Sequence, residues 1–232
     1  MARALASPSA EQSASVPPMS KVAVIGSGVV GQVLADGYLS LGHEVIRASR
    51  EPSKLREWLN GAGPRASVSS ALEAAQQAQT VVLAVKGTSA EEVVAGCGEA
   101  LNGKTVIDTT NPIANAPPNH GVLSFFTDLQ QSLMERLQQR APKAHFVKAF
   151  SCVGAPSMVR PNFAGTRPTM FICGANEGAK AEVKALLDQF GWDTEDMGTV
   201  EAARAIEPLC MLWCIPGLSG RGWSHAFKLL RP

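Results

Sequence analysis

The run Lys21-Val22-Ala23-Val24-Ile25, followed at once by Gly26-Ser27-Gly28-Val29-Val30-Gly31, constrains the fold of this chain more than any other feature. A β-branched run without alternation predicts a strand buried on both faces, as in a parallel sheet. Apolar residues at helical spacing then occupy 29–41 and stop at Gly42, and a second strand is expected at 44–48. The three glycines between strand and helix have separate tasks. Gly26 permits the sharp turn, Gly28 lets a ligand approach the backbone, and Gly31 allows close helix–strand packing. Free N–H groups and the dipole at the start of such a helix stabilise an anion, so the pattern in this context predicts binding of a dinucleotide's diphosphate.

The alternation continues along the chain. Helices are expected over 52–59 and 70–77, a strand over 80–85, a helix over 90–101 and a strand over 104–108. The segment 111–121 carries Pro112, Pro117 and Pro118 among Asn111, Asn115 and Asn119, and reads as a long loop. A helix over 125–139, strands at 145–149 and 169–173, a helix over 177–190, a short strand near 192–196 and a closing helix over 199–213 complete the pattern. Repeated βα units imply a parallel sheet with helices on both faces. The fold class expected is α/β, a Rossmann-type doubly wound parallel sheet with a small C-terminal helical and strand extension.

Composition narrows the function classes. A net charge of +1, with no basic block, lacks the electrostatic footprint of a nucleic-acid binder. The five cysteines are odd in number and irregular in spacing, which fits a reduced intracellular protein and not a disulfide framework. Cys210 and Cys214 stand at helical spacing, but no nearby Cys or His completes a tetrahedral metal set. No stretch reaches the roughly 18 apolar residues that a membrane span needs, and the longest is broken at Pro216 and Gly217. Residues 1–18 are rich in Ala, Ser and Pro and lack the apolar core of a secretion signal. The expectation is a soluble cytoplasmic protein without a membrane or nucleic-acid partner.

The end of the second strand selects the dinucleotide. An NAD site places Asp or Glu about 20 residues past the glycines to hold the ribose 2′-hydroxyl. Here the strand runs into Ala48-Ser49-Arg50, with Lys54 one helical turn further. A serine hydroxyl and a planar guanidinium attract a 2′-phosphate that a carboxylate would repel. Glu51 is the competing residue, able to hold a ribose if the strand ends later. NADP(H) is therefore the expected cofactor. The chain divides into a disordered tail over 1–19, an NADP-binding Rossmann domain over 20–150 and a smaller substrate-side region over 151–232 packed on the same sheet.

The strings KVAVIGSGVVG, LGHEV and ASR resemble the NADPH-dependent coenzyme F420 reductase family, which also includes the cytoplasmic NADPH domain of ferric reductases. The resemblance extends through Val82-Leu83-Ala84-Val85, Ile107-Asp108 with Asn111-Pro112, Val147-Lys148-Ala149-Phe150, Ile172-Cys173-Gly174 and Asp196-Met197-Gly198. It implies that Ser27, Gly28, Val29 and Val30 line the diphosphate and that Ser49, Arg50 and Lys54 hold the 2′-phosphate. It implies further that Val85, Lys86, Asn111, Pro112, Ala149 and Phe150 frame the nicotinamide. Ser151-Cys152 departs from the pattern, standing where ferric-reductase relatives carry an asparagine. The activity implied is hydride transfer between NADPH and a planar small-molecule acceptor, with coenzyme F420 or a flavin as co-substrate, and the assembly implied is a homodimer.

Such a reaction needs no catalytic triad or metal, because both reactants carry their own electronics. None is expected here. Of the four histidines, His120 in the proline-rich loop is best placed for proton transfer or substrate contact, although the loop role is the more expected one; His43 and His145 read as structural. His225, with Arg221, Trp223 and Lys228 in reach, either contacts an anionic acceptor or caps the fold. Trp192, Trp213 and Trp223 read as core before stacking platforms, and Cys152 as a small pocket wall. Competing functions are a flavin, quinone or ferric reductase, an imine or keto-acid reductase, and a non-catalytic NADPH sensor. The imine or keto-acid reading normally needs a longer helical second domain.

Overall fold

The computed structural model describes residues 19–232. The tail expected over 1–19 therefore falls, except for Met19, outside the described residues. The amino-terminal half builds β1 (Lys21–Ile25), α1 (Val29–Ser40), β2 (Glu44–Ala48), α2 (Arg56–Ala62), β3 (Ala66–Ser69), α3 (Ala71–Gln77), β4 (Thr80–Leu83), α4 (Gly87–Cys97) and β5 (Thr105–Asp108). Then come α5 (Leu133–Arg140), β6 (His145–Lys148), β7 (Thr169–Ile172), α6 (Glu177–Phe190), β8 (Asp193–Asp196) and α7 (Ala203–Leu218).

Six strands form one parallel sheet in the order β3-β2-β1-β4-β5-β6. The chain works outward from β1 in one direction and then crosses to β4 and works outward in the other. The carboxyl ends of β1 and β4 therefore flank the crevice where open α/β sheets bind ligands. Side chains alternate between faces. Ala23, Ile25, Ile46 and Leu83 pack under α3, α4 and α5. Val22, Val24, Val45 and Ile107 pack under α1 and α6. A strand buried on both sides carries apolar side chains on both faces, which is why 22–25 and 81–83 read without alternation.

β7 and β8 pair in parallel as a separate two-stranded sheet. One antiparallel bridge, Lys148 to Cys173, ties it to the end of β6. The last residues run beside β7, where the Thr169 N–H donates to the Phe227 carbonyl at 2.8 Å. No helix among the described residues is long and apolar enough to cross a membrane.

Several element boundaries differ from expectation. β3 was not anticipated: Ala66-Ser67-Val68-Ser69 is short, small and polar, and forms only because an edge strand can pair with β2 on one side. The helix expected over 125–139 begins at Leu133. Before it, Phe125 bridges to Ile113, and the Asp128 carboxylate accepts the Gln130 and Gln131 N–H groups, a local turn that competes with helix. Ser132 and Glu135 then close a reciprocal capping box that starts the helix. The strand expected over 80–85 stops at Leu83, and α4 begins at Gly87 instead of residue 90. The 52–59 helix is a single 3-10 turn followed by α2, and α7 runs on to Leu218 through Pro208 and Pro216.

Candidate functional site

A cleft of about 470 Å³ opens at the carboxyl ends of β1, β2 and β4. Its floor is the glycine turn. Gly26 sits at φ +151°, and a Cβ there would lie 2.1 Å from the Ala84 carbonyl oxygen, so no other residue fits between β1 and β4. At Gly31 a Cβ would lie 2.5 Å from the Gly26 carbonyl oxygen, which makes this glycine the contact that seats α1 on the turn. Gly28 differs from both: a Cβ there meets nothing within 4 Å. The protein itself does not require a glycine at that position, and the space a side chain would fill is open cleft.

The walls carry Ser27, Val29 and Val30 from the start of α1, Ser49 and Arg50 after β2, and Val85 and Lys86 after β4. Ala71, Ser89, Val93 and Thr109, none of them anticipated from the sequence, also line it, with Ile25, Ala48 and Ala84 at the strand ends. No carboxylate is among these residues. Neither Arg50 nor Lys86 has an ion-pair partner among the described residues. β2 ends at Ala48, and the next two residues reach the cleft while Glu51 does not. Glu51 pairs instead with Lys54 at 2.8 Å, and that lysine's hydrogen bond lowers the Glu51 carboxyl pKa.

Three expected groups lie elsewhere. Lys54 lines a neighbouring cavity of about 510 Å³ between α1 and α2, which shares Ser27 with the cleft. Ala149 and Phe150 are buried in the core below the sheet's end, the Phe150 ring against Phe190. Phe150 is held at φ +60°, an unusual backbone for an aromatic residue, with its N–H on Met170 Sδ at 3.1 Å. Asn111 and Pro112 follow β5 just outside the cleft. Asn111 Nδ2 donates to the Ser151 carbonyl at 2.8 Å, while Asn111 Oδ1 and Ser151 Oγ are buried without a hydrogen-bond partner.

Behind this end of the sheet lies a buried ionic cluster. Lys148 Nζ is 2.7 Å from Asp108 Oδ2 and 2.9 Å from Glu207 Oε1, and donates to the Thr110 carbonyl at 2.9 Å. Burial pulls the Lys148 pKa down, but the two carboxylates more than offset it, so the ammonium pKa is raised above its ordinary value. The Glu207 carboxylate also accepts the Leu133 and Met134 N–H groups at 2.9 and 3.0 Å, binding α7 to the first turn of α5.

The remaining candidates have structural surroundings. His120 and Gly121, at φ +49° and +80°, make the two-residue turn between Asn119 and Val122, and His120 is exposed outside the cleft. His225 caps the fold, its ring stacked on Trp213 at 4.9 Å and its Nε2 2.8 Å from the Trp213 carbonyl oxygen. His43 meets Ser20 and the edge of Tyr38. Trp192 is buried, with its indole N–H on the Met158 carbonyl. Burial pushes the Cys152 thiol up to about 12, which leaves it unreactive. Among the described residues no cluster of His, Cys, Asp or Glu could hold a metal ion.

Besides those four unanticipated lining residues, the sequence reading missed Arg47, 1% exposed beneath the glycine turn. The available signal was a charged residue near the end of an otherwise apolar buried strand.

Residues 21–112 match the family model described as NADP oxidoreductase, coenzyme F420-dependent. The crystal structure of a candidate F420-dependent NADP-reductase from Arthrobacter sp. FB24 superposes with a TM-score of 0.84 at 31% identity, covering 91% of this chain and 100% of that one. Metalloreductase STEAP3 of Rattus norvegicus is 28% identical over 87% of this chain. The uncharacterized oxidoreductase YfjR of Bacillus subtilis (strain 168) is 26% identical over 77% of it. This chain spans 39% and 56% of the lengths of those two curated relatives.

Proposed function

This chain belongs to the coenzyme F420-dependent NADP oxidoreductase family, and on that premise we propose that it transfers a hydride between NADPH and a planar acceptor such as the deazaflavin coenzyme F420. The observation that carries the NADP part is the charge of the cleft: among the described residues Arg50 and Lys86 line it, neither in an ion pair, and no carboxylate does. Residues and cofactor fit. The open space over Gly28 accommodates a diphosphate against free N–H groups, and Ser49 with Arg50 stands where a 2′-phosphate is read. Lys54 approaches the same phosphate from the adjoining cavity, beside Ser27.

When bound, the nicotinamide supplies the hydride chemistry. The protein's task is to hold it still and dry. Val85 and Lys86 wall the cleft, and beyond the carboxyl end of β5 the Asn111 carbonyl lies against Gly87, the residue after Lys86. The Lys148–Asp108–Glu207 cluster keeps that end rigid from behind, so that Ala149 and Phe150 act as backing for the site from the core. Positioning of two rings can by itself contribute roughly 7–11 kcal/mol, in keeping with a site that needs no acid–base dyad. The working unit we propose is a cytoplasmic homodimer. The free cysteines support a reducing compartment, and the exposed apolar side chains Leu212 and Leu218 on α7 support self-association.

A second acceptor class has an observation in its favour: the similarity to a metalloreductase extends over 87% of the chain. The test is a panel of acceptors. Purified protein is mixed with NADPH and, separately, with F420, FMN, a quinone, a ferric chelate and a keto acid, while absorbance at the nicotinamide band is followed. F420 turnover supports the proposal. Turnover with flavin or ferric chelate alone moves the acceptor to the metalloreductase-like reading. NADPH binding without turnover on any acceptor leaves a sensor.

A further inference from the structure

A guanidinium taken out of water is unfavourable unless it is paired or hydrogen-bonded. Arg47 on β2 is 1% exposed, has no carboxylate within ion-pair distance among the described residues, and its Nε makes no hydrogen bond. The nearby Asp36 is engaged elsewhere, accepting the Trp58 indole N–H at 2.7 Å. What Arg47 holds is the glycine turn. Its Nη2 donates to the Gly26 carbonyl at 3.3 Å and to the Gly28 carbonyl at 3.4 Å. The Trp58 ring covers the guanidinium from the other side, 4.9 Å from its centroid.

The geometry of the peptide gives these two contacts a consequence. In a planar trans peptide the C=O and N–H point in opposite directions. Arg47 fixes the Gly26 carbonyl from beneath and adds to the Gln32 N–H that holds the Gly28 carbonyl at 3.1 Å, so the N–H groups of Ser27 and Val29 are turned away from Arg47. Both residues line the cleft, and neither N–H has a partner among the described residues. A positive charge on the carbonyl side also polarises both peptides, strengthening the N–H groups as donors.

We propose that Arg47 is the positioning residue of the diphosphate-binding turn: it orients the Ser27 and Val29 amides, so that affinity for any dinucleotide depends on it, with or without a 2′-phosphate. The inference rests on the nucleotide reading of the cleft. It divides labour between two arginines, Arg47 acting through the turn on the diphosphate and Arg50 acting directly on the 2′-phosphate.

Calorimetric titration of the full chain with NADPH, NADH and adenosine 2′-monophosphate, which lacks the diphosphate, separates these roles. For Arg47→Met, the Kd values for NADPH and NADH should rise by the same factor, about tenfold for the loss of one well-oriented charge-assisted donor set. The Kd for adenosine 2′-monophosphate should not move. Arg50→Ala should do the reverse, weakening NADPH and adenosine 2′-monophosphate and leaving NADH alone. Unchanged dinucleotide binding by Arg47→Met overturns the inference. So does a loss confined to the 2′-phosphorylated ligands, or an equal loss for all three, which a general collapse of the site would produce. If Arg47→Met does not fold, Trp58→Leu keeps the charge, removes the ring that presses it to the turn and frees Asp36 to draw the guanidinium off the carbonyls. It should give a smaller, equal loss for NADPH and NADH, and no loss overturns the inference. Should the unmodified protein bind neither dinucleotide, the proposed function falls as well; should it bind them and the variants bind equally well, this inference falls alone.

Discussion

At the scale of single residues, the site is defined by what is missing as much as by what is present. Gly28 leaves open a volume that the fold does not need. The end of β2 offers a hydroxyl and a guanidinium where a carboxylate would read a bare ribose. Glu51, which could have supplied that carboxylate, is held by Lys54 outside the cleft. Replacing Arg50 by Ala should therefore weaken NADPH binding by about tenfold or more while leaving NADH within about twofold, since one charge-assisted contact to phosphate is removed. Fluorescence titration with both coenzymes checks this, and equal losses would contradict it. The glycine string and the serine–arginine pair were legible in the sequence, because each has a local steric or electrostatic meaning. Arg47 was not, because nothing local says that a buried strand arginine will find the carbonyls of a turn 21 residues earlier.

At the scale of elements, helix starts and buried ions set the stability. Glu135 caps α5 and binds Arg204, with a contact of 2.5 Å. The Arg204 hydrogen bond, against some desolvation and with help from Ser132, depresses the Glu135 carboxyl pKa from 4.5 to about 2. A depressed carboxyl contributes stability above its unfolded pKa and loses it as pH falls through the folded value. The urea midpoint should therefore drop between about pH 4.5 and about pH 2, and Glu135→Gln should reduce that dependence. An identical pH profile in the variant would remove Glu135 from the account. The buried Lys148 predicts a larger effect. Lys148→Met strands Asp108 and Glu207 as neighbouring buried carboxylates, so unfolding free energy should fall by roughly 3–5 kcal/mol in a urea titration. A near-neutral result would mean that the cluster relaxes or takes up protons at little cost. Of the elements themselves, β1, α1, β2 and α6 were legible because their periodicity and end signals agree. β3 was not, because its pairing comes from β2 and not from its own side chains. The start of α5 was not, because the Asp128 turn and the Phe125 bridge outcompete a helical pattern only once the 111–121 loop is folded beside them.

At the scale of the whole molecule, the reversal of strand order between β1 and β4 places the cleft, and the second, two-stranded sheet closes the far edge beside β6. The fold class was readable from the βα alternation. The placement of Ala149 and Phe150 in the core instead of on the cleft wall was not, because it depends on a positive φ at Phe150 and on packing against α6. The proposed homodimer makes its own prediction. Leu212 on α7 is 55% exposed, and Leu212→Glu should convert a dimer to a monomer in light scattering without lowering the melting temperature of the subunit. A monomer for the unmodified chain across a wide concentration range would contradict the assembly. The claim on which the rest depends is that the cleft reads a phosphorylated dinucleotide. Isothermal titration of the unmodified protein with NADPH and NADH tests it most directly. The account predicts one site that binds NADPH at least about tenfold more tightly than NADH, a difference of about 1.4 kcal/mol. No heat with NADPH, or equal affinity for the two, would contradict it.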